Sequence, residues 1–506
     1  MLSRAWKPAL VAAAVSAPSY YLYKSTYGRD DSFEIVVKVA GADGRPERQK
    51  MVLPLQSMKQ INARLHEHET SRTWSRPGVV WRSTTSFLSS NDPIEDANAA
   101  QIVQKDPNSP GDYLFYAVMD GHGGPNTSKL LSHTLISAVA RELATLTQPE
   151  DASNLAKRAA SLIWANKAPI ETDPLSISKA MQTAFTRLDD EILKMPVQYL
   201  ASKMDAASRD KDLVPDLRED EVALLALRTA VSGSCALLTL FDTDKRDLYV
   251  ACVGDSRAVA GIRESGDVWG VDVLTQDQTG RNPEEVARIK SEHPADEADN
   301  LIRNGRVFGG LEPSRAFGDA KYKWPPQLQQ ILNDTIAPIG TRPNMLRLLQ
   351  TPPYVIARPA VTHRKLSLPS DPQTGKEMKF VVMATDGLWD MLSSEEVVSL
   401  VAGHFAGLQG AVPKAELEKR VPTSISSPTV EGKAKTRRTA EGAWVFMDDN
   451  VSTHLIRNAF GGADEEKLRH ILSIPSPYSR RYRDDITVTV VWWDGEEGEQ
   501  SIKSKL

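Results

Sequence analysis

Apolar positions in this chain fall mostly into short runs bounded by turn residues. Residues 33–39 and 50–55 are two such runs separated by Gly41-Ala42-Asp43-Gly44, a spacing that predicts a hairpin. Residues 56–69 are polar and helix-compatible, a lead-in to the main domain. From about Trp74 onward, apolar runs alternate with turn signals. Residues 113–119 form a continuous apolar run ending at Asp120-Gly121, which reads as a buried strand. Asn126 is placed to cap a helix that continues to about Leu146. Residues 235–241 and 248–253 read as strands joined by Asp242-Thr243-Asp244-Lys245. Pro283 opens a charged helix. Residues 380–384 and 487–493 are late strands, the second rich in β-branched and aromatic side chains.

Two stretches interrupt this rhythm and read as insertions. Residues 149–220 are helical and charged, and 403–441 form a mobile loop with Lys433, Lys435, Arg437 and Arg438 among serine, threonine and proline. The predicted organisation is a targeting segment at 1–32, a hairpin and linker at 33–73, one large domain at 74–494, and a polar tail at 495–506. Arg4, Lys7, Lys24 and Arg29 precede the first acidic residue, Asp30, and flank the apolar stretch 9–22. That stretch is shorter than the roughly 20 residues that cross a bilayer. It resembles a mitochondrial presequence with an inner-membrane sorting element, and a secretory signal is the rival reading. The terminal Ser504-Lys505-Leu506 is the tripeptide recognised by the peroxisomal import receptor. The two ends together predict dual targeting to mitochondria and peroxisomes.

The net charge of -5 over 506 residues argues against a general nucleic-acid binder. The 2 cysteines, Cys235 and Cys252, exclude a disulfide framework and a cysteine-based zinc site. Neither is followed by arginine at the spacing of a cysteine-phosphatase loop: Phe241 and Ala258 stand there. Asp242 and Asp244 follow a strand as in aspartate-nucleophile phosphatases, but Arg246 stands where threonine or valine is expected. A turn explains them better, and no glycine-rich nucleotide loop is present.

Aspartates recur at strand ends, often beside glycine: Asp120-Gly121-His122-Gly123-Gly124, Gly254-Asp255-Ser256-Arg257, Thr385-Asp386-Gly387, and Asp484-Asp485 ahead of a strand. Any one reads as a turn. Together with Glu95-Asp96 they supply the carboxylate oxygens that hard cations such as magnesium and manganese prefer.

In order and content these motifs resemble the metal-dependent type 2C protein phosphatases. Ser232-Gly233-Ser234, Ser314-Arg315-Ala316-Phe317-Gly318-Asp319 and Asp386-Gly387-Leu388-Trp389-Asp390 extend the likeness over about 74–494. The resemblance implies an α+β fold, a four-layer α-β-β-α sandwich of two antiparallel sheets flanked by helices. It implies two Mg2+ or Mn2+ ions bridged by Asp120, with the Gly121 carbonyl on one and Asp96, Asp386 and Asp484 on the other. Glu95 would act through a water, and Asp255 and Asp390 match positions for a third, weaker ion. Hydroxide between the metals would attack a phosphoseryl or phosphothreonyl group of a protein substrate, with His122 as general acid. Arg257 and Arg315 are expected to pair with nearby aspartates. Two positions depart from the family pattern: Asn91 replaces a phosphate-gripping arginine, and Asp485 replaces a commoner asparagine. Both departures, with Pro93-Ile94-Glu95-Asp96 and Pro352-Pro353-Tyr354, resemble the pyruvate dehydrogenase phosphatase branch, which makes that enzyme a candidate substrate. The alternative is an inactive relative that only binds phosphoproteins.

Overall fold

Strict alternation along the central strands sets the architecture. In β6 (Asp112–His122), Phe115, Ala117 and Met119 face one way, while Leu114, Tyr116 and Val118 face the other. Both sets are buried, so the strand must be covered on both faces. The protein is described by a computed structural model covering residues 31–495, except 41–45, 77, 106–110, 148–172, 208–214, 265–267, 367–375 and 426–440. The two targeting segments and the basic run Lys433–Arg438 therefore lie outside the described residues, as does the turn of the N-terminal hairpin. Among the described residues, no helix is long and apolar enough to cross a membrane.

That hairpin is β1 (Ser32–Ala40) paired antiparallel with β2 (Pro46–Pro54). Strands β3 (Thr70–Arg76) and β4 (Val79–Leu88) follow a short helix, Met58–His66, whose Ser57 and Gln60 form a reciprocal cap. The main pattern thus begins at Thr70, slightly before Trp74. Next come β5 (Ala97–Gln104), β6, β7 (Gly233–Asp242), β8 (Asp247–Val253), β9 (Arg257–Glu264) and β10 (Trp269–Val273). The last are β11 (Ala360–Lys365), β12 (Lys376–Ala384), β13 (Thr423–Ile425) and β14 (Ile486–Asp494).

One sheet runs in the order β11-β8-β7-β6-β5, with the short strand Phe317–Gly318 against β7. The other runs β13-β10-β9-β12-β14-β4-β3. Their pairings are antiparallel except β10 with β13, which is parallel. The chain crosses from one sheet to the other between β8 and β9, through Gly254-Asp255-Ser256.

Three apolar clusters separate four layers. Trp81, Val118, Phe241, Val381 and Trp493 fill the space between the sheets. Helices Asn126–Thr147, Pro174–Ala207 and Glu221–Val231 cover the outer face of the first sheet. Helices Ser394–Phe405 and Val451–Phe460 cover the second. This is the α-β-β-α sandwich expected. Within the stretch read as an insertion, Pro174–Ala207 places Met181 and Phe185 in the buried cluster against the first sheet.

Two element ends differ from the sequence reading. Asn126 is the first helical residue, and the Pro125 carbonyl ahead of it accepts from Lys129. β6 does not stop at Met119 but continues through His122, because β7 keeps pairing: Asp120 opposite Cys235, Gly121 opposite Ser234, His122 opposite Gly233. Glycine is needed at 233, where a Cβ would approach His122 Nε2 to 2.1 Å and Asp319 Oδ2 to 2.3 Å.

The outer helical layer also contains a buried neutral histidine. Burial, then the neighbouring His404, pushes His454 down to about 3, and its Nε2 has no hydrogen-bond partner among the described residues. The unfolded chain takes up a proton near pH 6.5 that the fold refuses, so stability is full above pH 6.5 and lost toward pH 3. The expected slope is about 1.4 kcal/mol per pH unit in that window. Urea midpoints measured between pH 7 and 4 should show it, and a His454→Gln variant should flatten it. Parallel profiles would exclude this source.

Candidate active site

The acidic residues singled out in the sequence come from both sheets and meet at one end of the sandwich. Asp120 lies near the end of β6, and Glu95-Asp96 immediately precede β5. On the other sheet, Asp386 opens the turn Asp386–Trp389 after β12, and Asp484 stands just ahead of β14. The Asp386 backbone N–H points at Asp120 Oδ2 from 3.4 Å. Burial, followed by the charges of Asp386, Asp96, Asp255 and Asp484, holds the Asp120 carboxyl well above the usual carboxylate range. Asp96 is raised in the same way, by burial and then by Asp485, although its Oδ2 accepts from Thr385 Oγ1 at 2.9 Å and Thr487 Oγ1 at 2.8 Å. Glu95 is raised chiefly by burial, while its Oε1 accepts from the Gly124 N–H at 2.6 Å.

Asp255 joins this group through the sheet crossover, with Cys235 Sγ donating to its Oδ1 at 3.2 Å. Gly254 makes the crossover possible, because a Cβ there would meet Cys235 Sγ at 2.2 Å, and its φ is 102°. Gly121 lies flush against the Glu95 loop, where a Cβ would approach the Glu95 carbonyl to 2.1 Å. Asp390 lies one turn past Asp386, its N–H on the Asp386 carbonyl at 2.8 Å, and is not among the charges that act most on Asp120.

The two departures from the family pattern prove to be joined. Asn91 Nδ2 donates to Asp485 Oδ2 at 3.0 Å and to Glu95 Oε2 at 3.3 Å. Asp485 also accepts from the backbone N–H groups of Ser90 at 2.5 Å, Asn91 at 2.8 Å and Glu95 at 2.8 Å. One buried carboxylate therefore shapes the loop that presents Glu95 and Asp96.

His122 Nε2 lies 2.6 Å from Asp319 Oδ2, and 26% of the histidine side chain is exposed. Burial disfavours the charged ring, but the charge and hydrogen bond of Asp319 outweigh it and raise His122 above its ordinary value. Asp319 adopts a left-handed backbone, φ 51°. It closes the motif Ser314–Asp319, yet sequence reasoning gave it no role. Asp485 and Arg480 were missed likewise. Arg480 forms an ion pair with Asp484 four residues on, and that spacing was the available signal.

Arg257 pairs bidentately with Asp277, at 3.0 and 2.7 Å, as expected. Arg315 differs: its partner is the carboxylate of Glu285, because the helix Pro283–Glu292 lies alongside. Burial opposes charge on Glu285, yet Arg315 and Arg288 bring it down to about 2. Asp242 sits at the opposite end of β7, bonded to Lys105 at 2.5 Å and to backbone N–H groups of its own turn. It takes no part in the acidic cluster.

The donor set suits a hard divalent cation: carboxylate oxygens crowded enough that neighbouring charges raise Asp120 and Asp96, with Arg480 paired to Asp484 at their edge. Among the described residues, no three of them already converge as a finished ligand sphere.

Comparison with known proteins identifies the family. The protein phosphatase 2C family matches residues 177–410. A protein phosphatase 2C homologue of Schizosaccharomyces pombe is 35% identical over 434 residues, covering 86% of this chain and 85% of that protein. The mitochondrial pyruvate dehydrogenase (acetyl-transferring) phosphatase 1 of Saccharomyces cerevisiae is 36% identical, covering 91% and 76%. The corresponding phosphatase 2 of Homo sapiens is 34% identical, covering 87% and 84%. The chain belongs to the protein phosphatase 2C family of serine/threonine phosphatases and is related to its pyruvate dehydrogenase phosphatases.

Proposed function

We propose that this phosphatase works with two divalent ions, Mg2+ or Mn2+, and acts on mitochondrial phosphoproteins, phosphorylated pyruvate dehydrogenase foremost. The observation that carries the proposal is the meeting of Asp120 with Asp96, Asp386 and Asp484 across two sheets. Asp120, Asp96, Asp386, Asp484 and the Gly121 carbonyl would hold the ions. Glu95 would act through a water, and Asp255 with Asp390 would hold a third, weaker ion. Bound divalent ions supply positive charge for the phosphoryl oxygens and acidify a water for in-line attack.

The chain's own residues do the rest. Asp485 fixes the Glu95 loop, and Thr385 with Thr487 orient Asp96. Asp319 accepts the Nε2 proton's hydrogen bond and favours the doubly protonated ring, whose second proton, on Nδ1, would pass to the departing seryl or threonyl oxygen. The relatives' names support the substrate and the mitochondrial location. No comparison supports a peroxisomal address or membrane association, and nothing favours an inactive binding relative.

The test is turnover of a phosphoserine peptide from pyruvate dehydrogenase with Mn2+ and with EDTA, alongside p-nitrophenyl phosphate. Activity should need the metal. His122→Ala should lose about 10²-fold or more on the peptide but far less on the aryl phosphate, whose leaving group needs no proton. Equal losses on both substrates would remove the acid role, and metal-independent turnover would overturn the mechanism.

A further inference from the structure

A phosphoryl dianion entering this site meets a cluster of carboxylates, and a fixed cation at its edge would help the divalent ions to receive it. We propose that Arg480 is the residue that grips the substrate phosphoryl group. The inference rests on the phosphatase reading above and deepens it.

Asn91 carries no charge, and its amide is already committed to Asp485 and Glu95. Arg480 arises from the segment stitched to Asn91's own neighbours. Ser479 Oγ donates to the Ser90 carbonyl at 2.5 Å, Ser90 Oγ donates to the Arg483 carbonyl at 2.7 Å, and Arg483 Nη1 donates to the Ser89 carbonyl at 2.8 Å. These bonds hold the 3-10 turn Ser479–Arg481 beside the Glu95 loop. From there the guanidinium reaches Asp484 as an ion pair. Its charge also acts on Asp386, Asp120 and Glu95.

The Arg480 side chain is 48% exposed whereas Asp484 is 16% exposed, so the guanidinium sits at the mouth of the cluster rather than within it. Were a divalent ion to take up Asp484, the guanidinium would lose this partner and could turn its N–H donors to a phosphoryl group. Planar, bidentate donation is the geometry that recognises phosphate, and a neutral amide at 91 offers neither the charge nor the fork.

The test is calorimetric titration of inorganic phosphate into the full chain with saturating Mn2+, for wild type, Arg480→Gln and Arg480→Lys. Separate Mn2+ titrations of each accompany it. Arg480→Gln should weaken phosphate binding about 10-fold or more and raise KM for the phosphopeptide more than it lowers kcat. Arg480→Lys should fall between, because it keeps charge but not the fork. Mn2+ affinity should stay the same or tighten, since a competitor for Asp484 is gone. Unchanged phosphate affinity in Arg480→Gln, or a loss of Mn2+ affinity that accounts for the whole effect, would overturn the assignment. Phosphate binding needs no turnover. A wild type that binds phosphate through Arg480 yet hydrolyses nothing would therefore refute the phosphatase reading alone.

Discussion

Asp120→Asn is expected to cut phosphopeptide turnover by about 10³-fold while making the metal-free protein more stable. The two effects have one origin. Asp120 is buried among Asp386, Asp96, Asp255 and Asp484, and burial plus their charges disfavour its ionised form. At neutral pH, without a cation, that crowding costs the fold. Removing one charge at nearly constant shape relieves it, by about 1–3 kcal/mol. The same substitution removes the oxygen charge that would hold divalent ions. Thermal melts with EDTA and with Mn2+ separate the effects. The variant should melt higher than wild type in EDTA and gain less from Mn2+. A variant that melts lower in EDTA, or keeps the full Mn2+ gain, would show that Asp120 is a structural aspartate.

Asp485→Ala should have the opposite signature, losing stability and activity together. Asp485 is 3% exposed, and its two oxygens accept from three backbone N–H groups and from the Asn91 amide. Alanine leaves one buried and three part-buried donors without their acceptor, a cost of about 2–4 kcal/mol. The loop they shape carries Glu95 and Asp96, so turnover should fall even in the fraction that stays folded. Asp485→Asn is a milder case. Each oxygen receives two donors, so whichever position takes the amide NH2 must give up two bonds. Urea midpoints and kcat at low temperature read both effects. A midpoint equal to wild type in Asp485→Ala would mean that the loop is held by something else.

The strands were legible because they are continuous apolar runs bounded by turn residues, buried on both faces. Tyr113–Met119 and Thr487–Trp493 announce covered strands by composition, and both proved central to a sheet. The carboxylates were legible as a set because each ends or precedes a strand, Asp120, Asp255 and Asp386 beside a glycine. Where β6 ends was not legible. Its last residues look like a turn, and only the partner strand, with Gly233 making room, keeps them extended. The supporting partners were hidden for a related reason. Asp319 lies 197 residues from His122, and Asp485 lies 390 from Glu95. No local pattern joins positions so far apart. Arg315 was given the wrong kind of partner because only the packed helix decides which acid stands nearest.

The donors of the acidic cluster are divided between two sheets, and one of them, Asp255, rides on the link between those sheets. A half-assembled molecule, with either sheet formed alone, would own at most a few scattered acids and no chemistry. If these acids hold the ions as proposed, hydrolytic competence would be an all-or-nothing property of the closed sandwich, and a chain in which β14 has not docked is expected to be catalytically silent.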